Sequence, residues 1–201
     1  MQPGTSEERA AKRALHRGGS DALNLYTAEG GGFLGWAYFP KGATNDGRSY
    51  IDCIVVAFGS LPGGSIPRFN LGFTATHETG HWLGLYHTFQ NGCAASGDRI
   101  EDTPRQRFPT SGCPAGEDSC PEPGLDPIDN YMDYSDDPCY TEFTSQQGTR
   151  MAEQWLAFAR AADRVGPPRR ALMCATSPRR GIPFAGAART GEHEPDGRKP
   201  P

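Results

Sequence analysis

The sequence lacks three features that would each have pointed to a different class of protein. It has no apolar run near the length of a membrane span, which takes about 20 residues in a helix. Its first twenty residues are polar and charged, unlike a signal peptide. It also has no C-x-x-C pair, the spacing used by four-cysteine zinc sites. A membrane partner and a structural zinc site made of cysteines are therefore not expected.

Basic charge is scarce in most of the chain. Residues 1–160 hold 12 Lys and Arg against 20 Asp and Glu, a net charge of −8, whereas residues 161–201 hold 8 against 4. An acidic body argues against nucleic acid as a partner. The basic end is rich in Pro and Gly and has no apolar period, which is typical of disorder. We predict one monomeric domain over 1–162 and a disordered tail over 163–201.

The most informative stretch is HETGHWLGLYH, at residues 77–87. His77 and His81 are four residues apart, so on a helix both imidazoles project from one face and can share a metal ion. Gly84 can take the left-handed backbone angles that let the chain leave the helix and return His87 as a third ligand. Three imidazoles leave the fourth tetrahedral position of Zn²⁺ open, which marks a catalytic site. Glu78 is placed to act on a zinc-activated water as general base.

A second signal follows about forty-five residues later, in the segment Asn-Tyr-Met-Asp-Tyr at 130–134. A third histidine and a later methionine-containing turn together define the metzincin pattern. Met132 would form an apolar floor beneath the imidazoles, and the Tyr134 hydroxyl could donate a hydrogen bond to the oxyanion of a tetrahedral intermediate. Taken alone, Met132 would be read as a core residue and Tyr134 as a surface residue. After the eleven-residue motif, the functional interpretation is favoured.

The sequence resembles the pappalysins, a family of metzincin zinc metalloproteases, and in particular their small secreted microbial members. The resemblance is carried by residues 77–89 and 126–135 and by the cysteine-rich loop between them, and it extends back to 23–26 and 34–37. It implies an α+β zincin-like fold with a twisted mixed sheet, an antiparallel edge strand, an active-site helix, and a loop-rich lower half that ends in a helix. Family members have a signal, a propeptide and an opening strand-helix-strand before this region. The resemblance therefore implies a catalytic domain that is truncated at its N-terminus.

Local patterns predict where the elements lie. Helical composition, apolar runs and turn residues predict a first helix over 7–17, strands over 23–27, 33–39 and 51–58, the metal helix over 71–83, and a last helix over 144–162. Thr144 and Gln147 form a capping box at the start of the last helix. By resemblance, the strand over 23–27 would be an inner strand. The strand over 33–39 would be the edge strand to which a substrate peptide adds.

Four cysteines fall in one loop-rich stretch, where a disulfide framework is plausible and where the residues alone allow three pairings. The resemblance implies that Cys93 pairs with Cys120 and Cys113 with Cys139. Such a framework suits an oxidising, extracellular compartment. Cys53 lies in an apolar strand, where we expect it to be buried and inert.

Two acidic clusters suggest further binding functions. Asp98, Asp102 and Thr103 offer hard oxygen ligands in the loop where relatives bind calcium, although a solvated acidic loop is an equally good interpretation. Asp136 and Asp137 follow the methionine turn, near the wall of a specificity pocket. There they would favour substrates with a basic residue just after the scissile bond.

These observations predict a secreted zinc-dependent endopeptidase that acts on peptide or protein substrates. One catalytic Zn²⁺ would be bound by His77, His81 and His87, and Glu78 and Tyr134 would be the catalytic side chains. The alternative is a catalytically inactive, truncated remnant that keeps zinc and acts as a binding module. The missing opening elements support this alternative, because their loss would remove several kcal/mol of apolar burial.

Overall fold

A small mixed sheet forms the centre of the fold. The computed structural model describes residues 1–40 and 49–158. Its three strands are β1, Leu25–Ala28, β2, Gly35–Ala37, and β3, Ile54–Ala57. β3 lies in the middle, parallel to β1 and antiparallel to β2. All four residues of β3 are buried, because a helix covers each face of the sheet and the strand is apolar on both sides.

The first helix, α1, Ser6–Leu15, lies against the face of the sheet that carries Trp36 and Tyr38. Its Glu8 is buried and accepts hydrogen bonds from Trp36 Nε1 at 2.6 Å and from the Tyr38 hydroxyl at 2.8 Å. Lys12, which is also buried, forms an ion pair with Glu8. Burial alone would raise the pKa of Glu8, but the charge of Lys12 and these hydrogen bonds hold the pKa below its ordinary value. The pair therefore anchors α1 to β2.

The second helix, α2, Phe73–Trp82, packs on the opposite face of the sheet, against Ala37, Ile54 and Val56. The side chain of Asp137, far along the chain, accepts a hydrogen bond from the backbone N–H of Leu71 at 2.7 Å. A carboxylate near a helix N-terminus pairs with N–H groups that have no partner within the helix. The start of α2 is thus held by a residue 66 positions away in the chain.

The lower half, from α2 to residue 144, is made of loops, turns and one short 3₁₀ turn, Asp137–Cys139. Disulfides join Cys93 to Cys120 and Cys113 to Cys139. Such cross-links restrict the unfolded chain and stabilise loops that bury little apolar surface.

The last helix, α3, Ser145–Phe158, begins with the predicted capping box. Thr144 Oγ1 accepts from Gln147 N at 3.2 Å, and Gln147 Oε1 accepts from Thr144 N at 2.8 Å. The Trp155 ring contacts the Trp82 ring of α2 with 5.7 Å between centroids, so α3 packs beneath the metal helix. Ala162 and the predicted tail 163–201 lie outside the described residues.

The structure confirms the α+β class, the antiparallel edge position of β2 and the buried character of β3. It corrects the placement of β1. This strand pairs only with β3 in the part of the chain that the structure describes, so it lies at an edge of the sheet rather than inside it. The described residues include no helix long and apolar enough to cross a membrane.

Candidate metal centre and active site

Three imidazoles converge at one point on the lower side of α2. The Nε2 atoms of His77, His81 and His87 lie 3.1 to 3.2 Å from one another, which is a nearly equilateral triangle. All three side chains are buried. Nitrogens bound tetrahedrally to Zn²⁺ at 2.0–2.1 Å would be about 3.3–3.4 Å apart, so the triangle matches a shared zinc ion closely. Among the described residues, this is the only group of three or more His, Cys, Asp or Glu side chains close enough to hold a metal ion together.

The helix and the turn that follows it place the three histidines. α2 ends at Trp82, and Gly84 takes a φ of +85° in the left-handed region. Gly84 N–H then bonds to His81 O at 2.8 Å, and Leu85 N–H bonds to Gly80 O at 2.9 Å. These bonds close the helix and redirect the chain toward the imidazoles, as the glycine position predicts. A side chain at Gly84 would be strained by its backbone angles and would meet Gln154 at 2.7 Å.

Backbone carbonyls orient two of the rings. His77 Nδ1 lies 2.6 Å from Tyr131 O, and His81 Nδ1 lies 2.7 Å from Leu85 O. A carbonyl can only accept, so each Nδ1 carries the proton and each Nε2 presents its lone pair as a metal ligand. Burial lowers the pKa of His77 to about 4 and lowers the pKa values of His81 and His87 well below the ordinary value. The rings are therefore neutral near pH 7, which metal binding requires.

Met132 lies directly beneath the metal helix and is fully buried. A methyl group on Gly80 would lie 2.4 Å from Met132 Sδ, so the glycine in the middle of the motif makes room for the methionine. The backbone of this turn is hydrogen-bonded to the segment that carries His87, since Thr88 N–H bonds to Met132 O at 3.2 Å.

A buried glutamine that the sequence did not single out joins the same two segments. Gln106 Oε1 accepts from the Thr88 hydroxyl at 2.6 Å, and its Nε2 donates to Asp133 Oδ1 at 3.0 Å. Gln106 is completely buried. An isolated glutamine in a long loop has no periodic or spacing signal, so only the tertiary structure identifies it.

Tyr134 stands against the histidine cluster. Its ring lies edge-on to His87 with 4.7 Å between centroids, and 5.8 Å from His77. Phe89 stacks on His87 at 4.6 Å and also contacts the Tyr134 ring at 4.9 Å. Glu78, on the same helix as two of the ligands, is 1% exposed. The histidine triangle thus has a phenol ring against it, and a buried acidic side chain lies on the same helix.

The model of the pregnancy-associated plasma protein-A family of peptidases matches residues 35–156. The chain belongs to this family, the pappalysins. The match contains β2, the metal helix, all three histidines and the methionine turn, so it rests on the elements that build the site.

Similar proteins include fungal members of the family. The chain is 56% identical over 156 residues to an extracellular metalloprotease of Pyricularia oryzae, covering 76% of this chain and 55% of the relative. It is 54% identical over 153 residues to extracellular metalloprotease 1 of Coccidioides posadasii, covering 75% and 55%. The chain therefore spans about half the length of the curated relatives that it matches.

The fold also matches solved pappalysin structures. Mature mirolysin of Tannerella forsythia, in complex with a cleaved peptide, superposes with a TM-score of 0.64 at 32% identity, covering 75% of this chain and 60% of mirolysin. A promirolysin mutant of the same organism gives a TM-score of 0.67 at 29% identity, covering 79% and 56%. Both likenesses support the zincin-like interpretation of the fold.

In this pappalysin, the three residues considered for calcium have different surroundings. Asp98 and Thr103 are buried and line one pocket, and neither Asp98 Oδ2 nor Thr103 Oγ1 has a hydrogen-bond partner among the described residues. Burial raises the pKa of Asp98 to about 6. The exposed carboxylate of Asp102 instead accepts from the Thr144 hydroxyl at 2.6 Å and from Gln146 N–H at 3.0 Å. Asp102 therefore caps α3, whereas Asp98 is buried and accepts from Ile100 N–H through Oδ1 at 3.0 Å.

The two acidic residues after the methionine turn also differ. Asp136 forms an ion pair with Arg68. Arg68 Nε lies 2.8 and 2.9 Å from the two carboxylate oxygens of Asp136. Asp137 is buried at the start of α2 and lines a pocket together with His77 and Tyr134. Burial raises the pKa of Asp137, and backbone N–H groups at the start of α2 oppose this shift. Only Asp137 lies next to the metal site.

Proposed function

We propose that this chain is an extracellular zinc-dependent endopeptidase. The observation that carries the proposal is the triangle of Nε2 atoms, with the Tyr134 ring against it and Glu78 buried on the same helix. Zinc bound by these three imidazoles would act as a Lewis acid and would lower the pKa of a coordinated water to about 7. The names of the fungal relatives and the two disulfides support an extracellular location.

Glu78 is proposed as the general base. Its carboxylate would take a proton from the attacking water and deliver it to the nitrogen of the leaving amine. Its position on the metal helix, directly after His77, supports this function.

Tyr134 is proposed to stabilise negative charge on the carbonyl oxygen of the substrate. Its ring lies against His87, which supports a hydroxyl position near the reacting carbonyl. A phenol donor aimed at the developing oxyanion contributes most when it is fixed before the reaction begins. The contacts with Phe89 at 4.9 Å and His87 at 4.7 Å restrict the ring in this way.

The substrate is proposed to be a peptide that binds in extended form along β2. This strand pairs with β3 on one side only within the described residues, which leaves its second edge for another strand. Beyond its end, the Phe39 ring lies 5.7 Å from the His81 ring, so the edge runs close to the metal ligands. A peptide added there would pass its backbone in front of the zinc site.

The first test is hydrolysis of casein by the purified chain, with and without a zinc chelator, together with the metal content. We expect about one zinc per chain and hydrolysis that stops on chelation and returns when Zn²⁺ is restored. One zinc without hydrolysis would contradict the protease proposal and favour the alternative, a zinc-binding module without catalytic activity. Absence of zinc would contradict both.

Calcium is proposed as a second, structural ion at Asp98 and Thr103. Asp98 Oδ2 and Thr103 Oγ1 are hard oxygen donors, which suit Ca²⁺, and both residues are buried and line one pocket. We expect 1 mM Ca²⁺ to raise the melting temperature of the chain by about 5 °C relative to a calcium chelator. Asp98→Asn should remove most of this difference, because it removes the charge of the buried carboxylate.

The control for calcium is Asp118→Asn, which changes an exposed acidic residue in the same half of the molecule. It should keep the wild-type response to calcium. A melting temperature that does not depend on calcium in the wild-type chain would refute the site.

Cleavage before a basic residue is proposed from the position of Asp137. Its carboxylate lines the pocket beside His77 and Tyr134, where the side chain after the scissile bond would enter. Peptides with Arg or Lys at that position should be hydrolysed with a kcat/KM about tenfold higher than peptides with Leu, since opposite charges attract within a partly dry pocket. Dye release from matched peptides measures the ratio, and equal rates would refute the preference.

A further inference from the structure

Gly35, at the start of β2, lies unusually close to the proposed general base. A methyl carbon built on Gly35 would lie 2.8 Å from Glu78 Cγ and 2.8 Å from Glu78 Oε1. It would also lie 2.8 Å from the backbone oxygen of Val55 in the neighbouring strand. The backbone angles of Gly35 are outside the left-handed region, so any residue could adopt them. Space, and not conformation, therefore requires glycine here.

The close approach joins the metal helix to the edge strand of the sheet. Glu78 projects from α2, and Gly35 belongs to the edge strand along which the peptide is proposed to lie. With no side chain at 35, the backbone of β2 becomes the wall against which the Glu78 side chain rests. A glutamate has three rotatable side-chain bonds, and a rigid wall removes alternative positions of its carboxylate.

From this contact we infer that Gly35 is a positioning residue for Glu78. Because Gly35 has no side chain, it leaves a slot that holds the Glu78 carboxylate at the metal site. The slot keeps this carboxylate on the side of the site that faces β2. Proton transfer depends steeply on the placement of the base, and small displacements can lower rates by about 10²-fold. The inference rests on the proposed function of Glu78, but the contact itself can be tested without catalysis.

The variant Gly35→Ala should bind about one zinc per chain and should hydrolyse a peptide with a kcat about 10²-fold below the wild-type value. KM should change by less than about threefold, since the substitution leaves the remainder of the β2 edge, where the peptide is proposed to bind, intact. Gly148→Ala is the matched control, because a methyl group there meets nothing within 4 Å and the residue lies on α3, away from the metal. It should leave kcat and zinc content unchanged.

A purely structural explanation would attribute the whole effect of Gly35→Ala to the clash between the new methyl group and Val55 O. A double-mutant cycle separates the effect of the Glu78 contact from the effect of the Val55 O clash. The melting temperatures of the zinc-loaded chains are the readout. Gly35→Ala should lower the melting temperature in the wild-type background by at least about 3 °C more than in the Glu78→Ala background, where the glutamate side chain is gone. Gly64→Ala provides the comparison for a clash with backbone alone, at 2.3 Å from Gly59 O. Gly64→Ala should lower the melting temperature by the same amount in the wild-type and Glu78→Ala backgrounds.

Equal losses of melting temperature for Gly35→Ala in the two backgrounds would overturn the inference, as would a wild-type kcat. If Gly35→Ala does not fold, recovery of a zinc-binding fold in the double variant with Glu78→Ala would support it, and failure of both variants would overturn it. If the wild-type chain hydrolyses nothing, the proposed function fails, whereas the melting cycle still decides whether Gly35 positions Glu78.

Discussion

Glu78→Gln should lower kcat/KM for peptide hydrolysis by about 10³-fold while one zinc per chain stays bound. Glutamine keeps the shape of the side chain but cannot accept a proton at neutral pH, and general base catalysis contributes about 10²–10⁴-fold. The three imidazoles are untouched, so the metal content should not change. Hydrolysis of a quenched fluorescent peptide and elemental analysis of the same sample measure both quantities.

The control for Glu78→Gln is Glu153→Gln, the same substitution at an exposed position of α3. It should retain wild-type hydrolysis and zinc content. A Glu78→Gln variant with wild-type turnover would show that another group takes the proton, and the proposed mechanism would then be wrong. Loss of zinc from Glu78→Gln would instead mean that the side chain supports the metal site.

His87→Ala should reduce both zinc affinity and hydrolysis, and in this it should differ from Glu78→Gln. Removing a partner that merely orients a ligand typically costs 10–100-fold in metal affinity, so removal of a ligand should cost more than about 10²-fold. Hydrolysis should fall to background because the remaining two imidazoles do not hold the ion in the same position. Competition with a chromogenic zinc chelator measures the affinity.

His16→Ala serves as the control for His87→Ala. His16 follows α1 and is not part of the histidine triangle, so its removal should leave zinc affinity unchanged. Wild-type zinc affinity in His87→Ala would exclude His87 as the third ligand and would contradict the site as the spacing predicts it.

The parts of the site that could be predicted are those in which spacing along the chain decides the geometry. His77 and His81 are one helical turn apart, so their convergence follows from the helical period. Gly84 is the residue that can take the left-handed angles needed to bring back His87, and the structure has it at φ +85°. The capping box of Thr144 and Gln147 is equally local, because its two bonds join residues three positions apart.

The parts that could not be predicted depend on contacts between distant segments. Asp102 caps α3 from 42 and 44 positions away, and Arg68 pairs with Asp136 across 68 positions. The acidic character of such residues is visible in the sequence, but which partner each one meets is not. A carboxylate can bind a cation, cap a helix or form an ion pair, and only its neighbours in space select among these.

The sequence by itself determined the family and predicted which three histidines converge and which glutamate is the candidate base, because the spacing of residues on one helix and one turn fixes the local geometry. Only the tertiary structure decided that β1 lies at an edge of the described sheet and that Gln106 joins Thr88 to Asp133. It alone brought Gly35 against Glu78, across 43 positions of chain. The physical reason is that helical period and turn angles act over a few residues, whereas packing between layers depends on how the whole chain folds.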